Sequence, residues 1–196
     1  MEKYYFDNPQ PRLTVGDGVV LLLVNGKQET GTMGGMPDGN GLETTEAVER
    51  KVWVYDGVRL ETGGMTSEAA LTAAAQKMVL EQIDKYDTSP SVNGFMLNGL
   101  RVWLNKDTRV GLMNSTQIAK GMGKTTTTLW LEGMKIVVNC DKAIGLLSAL
   151  EMYALECFNV TAAHKKAVSE LNTVEEVLEY DYTKGYPEQL RMEVSL

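Results

Sequence analysis

One histidine, two cysteines, five prolines and three phenylalanines are all that 196 residues hold of these types, and several of these shortages exclude a class of function. A single histidine, His164, rules out zinc sites built on two histidines. Cys140 and Cys157 are too few for a disulfide framework. Both fall in one expected helix, 17 residues apart, which is about 25 Å at the helical rise, whereas a bridge needs Cα atoms within about 7 Å. They are expected to be free, buried thiols. A Cys157/His164 nucleophile and base pair fails in the same way, because seven residues of helix hold the two about 10.5 Å apart. Long hydrophobic runs are missing too. The longest wholly aliphatic stretch, residues 19–24, is six residues, against about 20 for a bilayer span. The N-terminus lacks the basic start and apolar stretch of a signal peptide. Cations are in deficit, 19 Lys and Arg against 26 Asp and Glu for a formal charge of -7, which opposes a general phosphate-binding surface. Neither a membrane nor a nucleic acid is an expected partner.

What is present is a repeat. From residue 93 the chain spells strand, glycine turn, strand and helix twice over. Residues 95–97 and 100–104 flank Asn98-Gly99, the dipeptide best suited to a type I′ turn. Residues 129–131 and 134–138 flank Glu132-Gly133. Asp107 or Thr108 is the expected cap of a helix to about Lys120, stopped by Gly121 and Gly123. Asp141 is the expected cap of a longer helix, 142–171. Along it Leu147, Leu150, Ala154, Cys157, Thr161, His164, Val168 and Leu171 recur by threes and fours as one face. Thr173 with Glu176 spells a capping box. A tyrosine-rich tail, 180–187, then returns along the surface or covers a core edge.

Residues 1–62 read as β structure. Asn25-Gly26 and Asp56-Gly57 each separate two strand-like runs, which predicts two hairpins. Between them the glycine-rich 31–41 reads as an exposed, mobile loop. Thr66 and Ser67 offer an N-cap for a helix over 69–86, ended by the turn cluster Asp87-Thr88-Ser89-Pro90.

The motifs that resemble chemistry fail on spacing. GMGKTTTT (121–128) ends like a phosphate-binding loop, but Ile118 stands where the motif needs its first glycine. A helix precedes it and a β-branched run follows, the reverse of the required order. Asp38-Gly39-Asn40 begins like a calcium loop, yet Leu42 occupies the next ligand position. Glu175 and Glu176 are adjacent on a helix and do not face one another. His164 reads as a structural histidine. No catalytic, cofactor-binding or metal-ligating residue is assigned, and no cofactor is expected. Trp53, Trp103 and Trp130 each fall in a hairpin strand, where cross-strand packing accounts for them. They and the Tyr180, Tyr182 and Tyr186 cluster are also the candidate interface residues.

The strings NGLRVWLNKDTRVGLMNS (98–115), TTLWL (127–131), LLSALEMYALECFNVTAAHKKAV (146–168) and YDYTKGYPEQL (180–190) resemble an uncharacterised domain family of phages and prophages, especially those of gut Bacteroidales. That family is often encoded among tail-fibre, tail-assembly or other virion genes. The resemblance covers residues 80–190 and supplies no catalytic residues. It implies a non-enzymatic virion protein at the tail, baseplate or fibre attachment. Other virion proteins would be its partners, with symmetric self-association, and it would reside in the host cytoplasm during assembly. A tail-fibre assembly chaperone, a head-decoration protein and a nucleotide-binding enzyme using Lys124 are the competing readings. The expected fold is α+β: an N-terminal β-hairpin module (1–62), a connecting helix (63–90) and a C-terminal hairpin-helix-hairpin-helix domain (91–196) with a small antiparallel sheet.

Overall fold

The computed structural model describes residues 2–10, 12–33 and 48–194. The chain is α+β and divides into two units, Met1–Ala75 and Gln76–Leu196. Of the glycine-rich stretch, residues 31–33 end a strand, while 34–41, with Asp38-Gly39-Asn40, lie outside the described residues.

Among its described residues the first unit holds a four-stranded antiparallel sheet of β1 (Glu2–Phe6), β2 (Arg12–Val15), β3 (Val19–Met33) and β4 (Val48–Glu61), in the order β1-β4-β3-β2. This corrects the two expected hairpins. Asn25-Gly26 lies inside β3 as a bulge, where the register jumps between Val24 and Lys27 and two residues face Tyr55 alone. Asn25 takes a left-handed φ of 56° and its amide donates to Asp56 at 3.0 Å, which holds that carboxyl below its usual range. Gly57 likewise stays within β4, paired with Glu2 on one side and Leu23 on the other. Both glycines mark a close approach rather than a turn, since the Tyr55 ring covers Gly26 and the Tyr4 ring covers Gly57. A turn among the described residues is Gly16-Asp17-Gly18, joining β2 to β3 with Asp17 at φ 65°. Leu21, Leu23 and Tyr55 form a core on one face with Phe6 and Trp53 packed against it. Val20, Leu22, Val58 and Leu60 are buried on the other.

Helix α1 (Glu68–Asp87) runs through the division between the units and begins at Ser67, whose hydroxyl accepts from the Ala70 N–H at 3.3 Å. The expected turn cluster becomes a single helical turn, α2 (Pro90–Asn93), capped by Ser89.

In the second unit the repeat is realised as β5 (Gly94–Leu97), β6 (Leu100–Trp103), α3 (Lys106–Gly121), β7 (Thr126–Leu131), β8 (Met134–Asn139) and α4 (Cys140–Glu170). Asn98 and Gly99 sit at φ 49° and 78°, Glu132 and Gly133 at 48° and 79°, the paired positive values of a type I′ turn. The hairpins do not share one sheet. β7-β8 stands alone, and β5-β6 gains a third, parallel strand, β9 (Arg191–Met192), beside β5. Two residues of parallel pairing carry no periodicity, so β9 leaves no mark in the sequence. The caps also differ from expectation. Asn105, not Asp107 or Thr108, caps α3 by accepting from the Thr108 N–H at 2.8 Å. Asn139, not Asp141, caps α4. Asp141 lies in the first turn, where it favours the helix dipole and pairs with Lys120. The Thr173/Glu176 capping box of α5 (Val174–Glu179) is present.

Helix α4 carries the core. Leu150, Tyr153 and Cys157 pack with Phe95, Leu97 and Val102 of the first hairpin and Leu129, Leu131 and Ile136 of the second. By length and composition α4 would also span a membrane, a property that core helices share.

Candidate functional site

The expected interface residues do not converge. Trp53 lies in the first unit, stacked on Tyr55 with ring centroids 6.2 Å apart. Trp130 points outward from β7, 62% exposed. Tyr182 and Tyr186 meet the Tyr86 ring edge-on at 5.8 and 5.6 Å, and the Tyr186 hydroxyl lies 2.9 Å from that of Thr161. The tail thus packs over the end of α1 and the middle of α4.

His164 is held inside that arrangement. Its Nε2 lies 2.8 Å from the Lys184 carbonyl and its Nδ1 2.8 Å from the Tyr180 hydroxyl. A carbonyl only accepts, so Nε2 carries the proton and in the neutral ring Nδ1 accepts from Tyr180. Asp181, in the same tail, accepts from the Thr183 hydroxyl and pairs with Lys184, which pulls its carboxyl down to about 2. The cysteines are buried and free, each thiol donating to a backbone carbonyl, Cys140 to Lys124 and Cys157 to Val92. Burial pushes the Cys157 thiol above its ordinary value, away from the nucleophilic thiolate. The string 121–128 ends α3 and opens β7, and the Lys124 side chain is exposed. Among the described residues no group of three His, Cys, Asp or Glu gathers to hold a metal.

One cleft in the second unit does bring polar and apolar groups together. It encloses about 570 Å³ and is lined by the start of α3 (Asn105, Lys106, Arg109), the end of α1 (Asp87), Trp103 and the α4 residues Glu151, Ala154, Leu155 and Phe158. That volume lies in the range of ligand pockets, about 300–1,000 Å³. Arg109 is buried, 8% exposed. Its Nε donates to Glu151 and its Nη1 to the Leu104 carbonyl, both at 2.8 Å. Capping by Asn105 sets the first turn of α3, and position 109 one turn later faces α4. The Asp87 carboxylate accepts from the Thr161 hydroxyl at 2.7 Å. The Trp103 indole N–H is buried with no acceptor among the described residues.

Beside the cleft, α4 turns Met152, Leu155 and Phe158 outward, 57%, 48% and 59% exposed. Neighbours three apart on a helix touch, so the three form a continuous apolar ridge. Of the interface residues expected from the sequence only Trp103 lies at this site. Arg109 and Glu151 are missed because a pairing between α3 and α4 leaves no periodic mark, and Leu155 and Phe158 because helical periodicity singles out the buried stripe of α4 and not its opposite face. A signal for them exists: a helix with large apolar residues on the face opposite its core stripe has more apolar surface than one core can use.

No family model, curated protein or solved structure matches the chain.

Proposed function

We propose that this chain is a non-enzymatic virion protein of a phage tail, baseplate or fibre attachment that works by protein-protein docking and repeats by symmetric self-association. One observation carries the docking part: the outward ridge of Met152, Leu155 and Phe158 borders a cleft with an aromatic wall and a buried arginine. Exposed apolar ridges of this kind, with aromatic, Met and Arg side chains, are characteristic of protein interfaces. The resemblance of residues 80–190 to phage and prophage domains supplies the setting.

The test has two parts. Light scattering after size exclusion reads the oligomeric state of the wild-type chain and of a Leu155→Ser, Phe158→Ser double variant, and mass spectrometry reads the protein content of purified particles. The reading requires that the double variant lose association and that the chain be found in particles. An unchanged assembly state in the variant would overturn the docking role, and absence from mature particles would favour the assembly chaperone.

A further inference from the structure

Deepening the docking reading, on which it rests, we infer that the cleft beside α4 seats a partner segment in which an acidic side chain stands next to an apolar one, with the carboxylate on Arg109.

A guanidinium has five N–H donors. Arg109 uses Nε on Glu151 and Nη1 on the Leu104 carbonyl, while Nη2 has no acceptor among the described residues. It is more than nine-tenths buried and lines the cleft. Among the described residues only Trp103 Nε1 and Thr116 Oγ1 are buried side-chain atoms without a partner, so Nη2 opens onto the cleft, where a carboxylate is the acceptor whose planar geometry matches the guanidinium. One neighbour favours the same sign of ligand: Lys106 is exposed at the cleft with no ion-pair partner among the described residues.

The acceptors in the cleft argue for a peptide rather than a bare carboxylate. Glu151 and Asp87 would repel an isolated anion. Each has one oxygen engaged, Glu151 by Arg109 and Asp87 by Thr161. The other oxygens can accept backbone N–H groups, which a peptide carries and a fatty acid does not. Leu155 and Phe158 supply the apolar wall for the neighbouring side chain.

The experiment is an amide NMR titration of the full chain with three blocked peptides: Ser-Phe-Glu-Leu-Ser, and the same sequence with Gln or Lys in place of Glu. The Glu peptide shifts the amides of Asn105, Arg109 and Glu151 and binds about tenfold more tightly than the Gln peptide, the value of one charge-assisted hydrogen bond. Arg109→Lys removes most of that tenfold difference, because an ammonium cannot form the planar fork. Should Arg109→Lys fail to fold, the exposed Lys106→Glu replaces it and weakens the Glu peptide alone. Equal binding of Glu and Gln peptides, tighter binding of the Lys peptide, shifts confined to other surfaces, or no binding at millimolar concentration each overturns the assignment. If association depends on Leu155 and Phe158 while no peptide binds, only the cleft assignment fails. If association ignores those two residues, the docking reading fails whatever the peptides do.

Discussion

The ring of Tyr55 lies directly over the backbone of Gly26, with a Cβ at that glycine coming within 2.9 Å of Cδ1 and closer still to Cε1. Tyr55 is buried and its hydroxyl accepts from the Gln10 N–H at 3.2 Å, so the ring cannot swing aside. Gly57 meets Tyr4 in the same way, but Tyr4 is only half-buried and bonds the exposed Glu2. Gly26→Ala is therefore expected to destabilise the sheet by about 1–3 kcal/mol, the usual cost of overpacking, and Gly57→Ala by less. Denaturant unfolding followed by tyrosine and tryptophan fluorescence checks the order, and a reversed order would contradict the packing described.

Tyr153 donates to the Val92 carbonyl at 2.7 Å from inside the core, and burial first, then the neighbouring Cys157, pushes its phenol up to about 12. A phenol that ionises less readily when folded contributes stability that is complete below its ordinary value near 10 and lost as pH rises toward 12. Stability is expected to fall across that window. Tyr153→Phe should flatten the fall while costing about 1 kcal/mol at neutral pH for the lost hydrogen bond. Tyr186, also raised by burial, keeps part of the slope. Urea unfolding at stepped pH measures both effects, and an unchanged slope in the variant would contradict the assignment.

Asn98 does two jobs. It holds a left-handed turn position, and its side chain accepts from the Val194 N–H at 2.7 Å while donating to the Val194 carbonyl at 2.9 Å. Asn98→Ala is expected to cost about 2–4 kcal/mol, since it loses both bonds and strains the turn. Asn98→Gly relieves the strain alone and should cost about 1–2 kcal/mol. Hydrogen exchange at Met96, whose N–H donates to Leu190 at 2.8 Å, reports whether β9 has come loose. Equal costs for the two variants would mean that the turn conformation contributes nothing.

The Trp103 indole N–H lacks an acceptor among the described residues, so removing it forfeits no hydrogen bond. Trp103→Phe is expected to stay within about 1 kcal/mol of wild type by thermal unfolding. A loss beyond about 2 kcal/mol would contradict this expectation.

Turn chemistry is the most legible feature of the chain. Asn98-Gly99 and Glu132-Gly133 read as turns and are turns, because the strands beside them are short and end there. The same kind of dipeptide misleads at Asn25-Gly26 and Asp56-Gly57. There β3 and β4 continue past it, since β4 pairs with β3 before and after the bulge and β1 and β3 both pair with Gly57, and a tyrosine ring takes the room a side chain would need. The core stripe of α4 is legible from its spacing. The caps are displaced from the expected residues to Asn105 and Asn139, a choice made by where the preceding strands release the backbone.

By itself the sequence determined the α+β class, the order of the C-terminal elements and the helical face that enters the core, because turn preference and periodicity are local properties of the chain. The tertiary structure alone decided that the two hairpins lie in separate sheets, that a two-residue strand from the far end completes one of them, and that Arg109 meets Glu151 beside Leu155 and Phe158. Those pairings join residues tens of positions apart, and their energy arises only when burial brings the partners together.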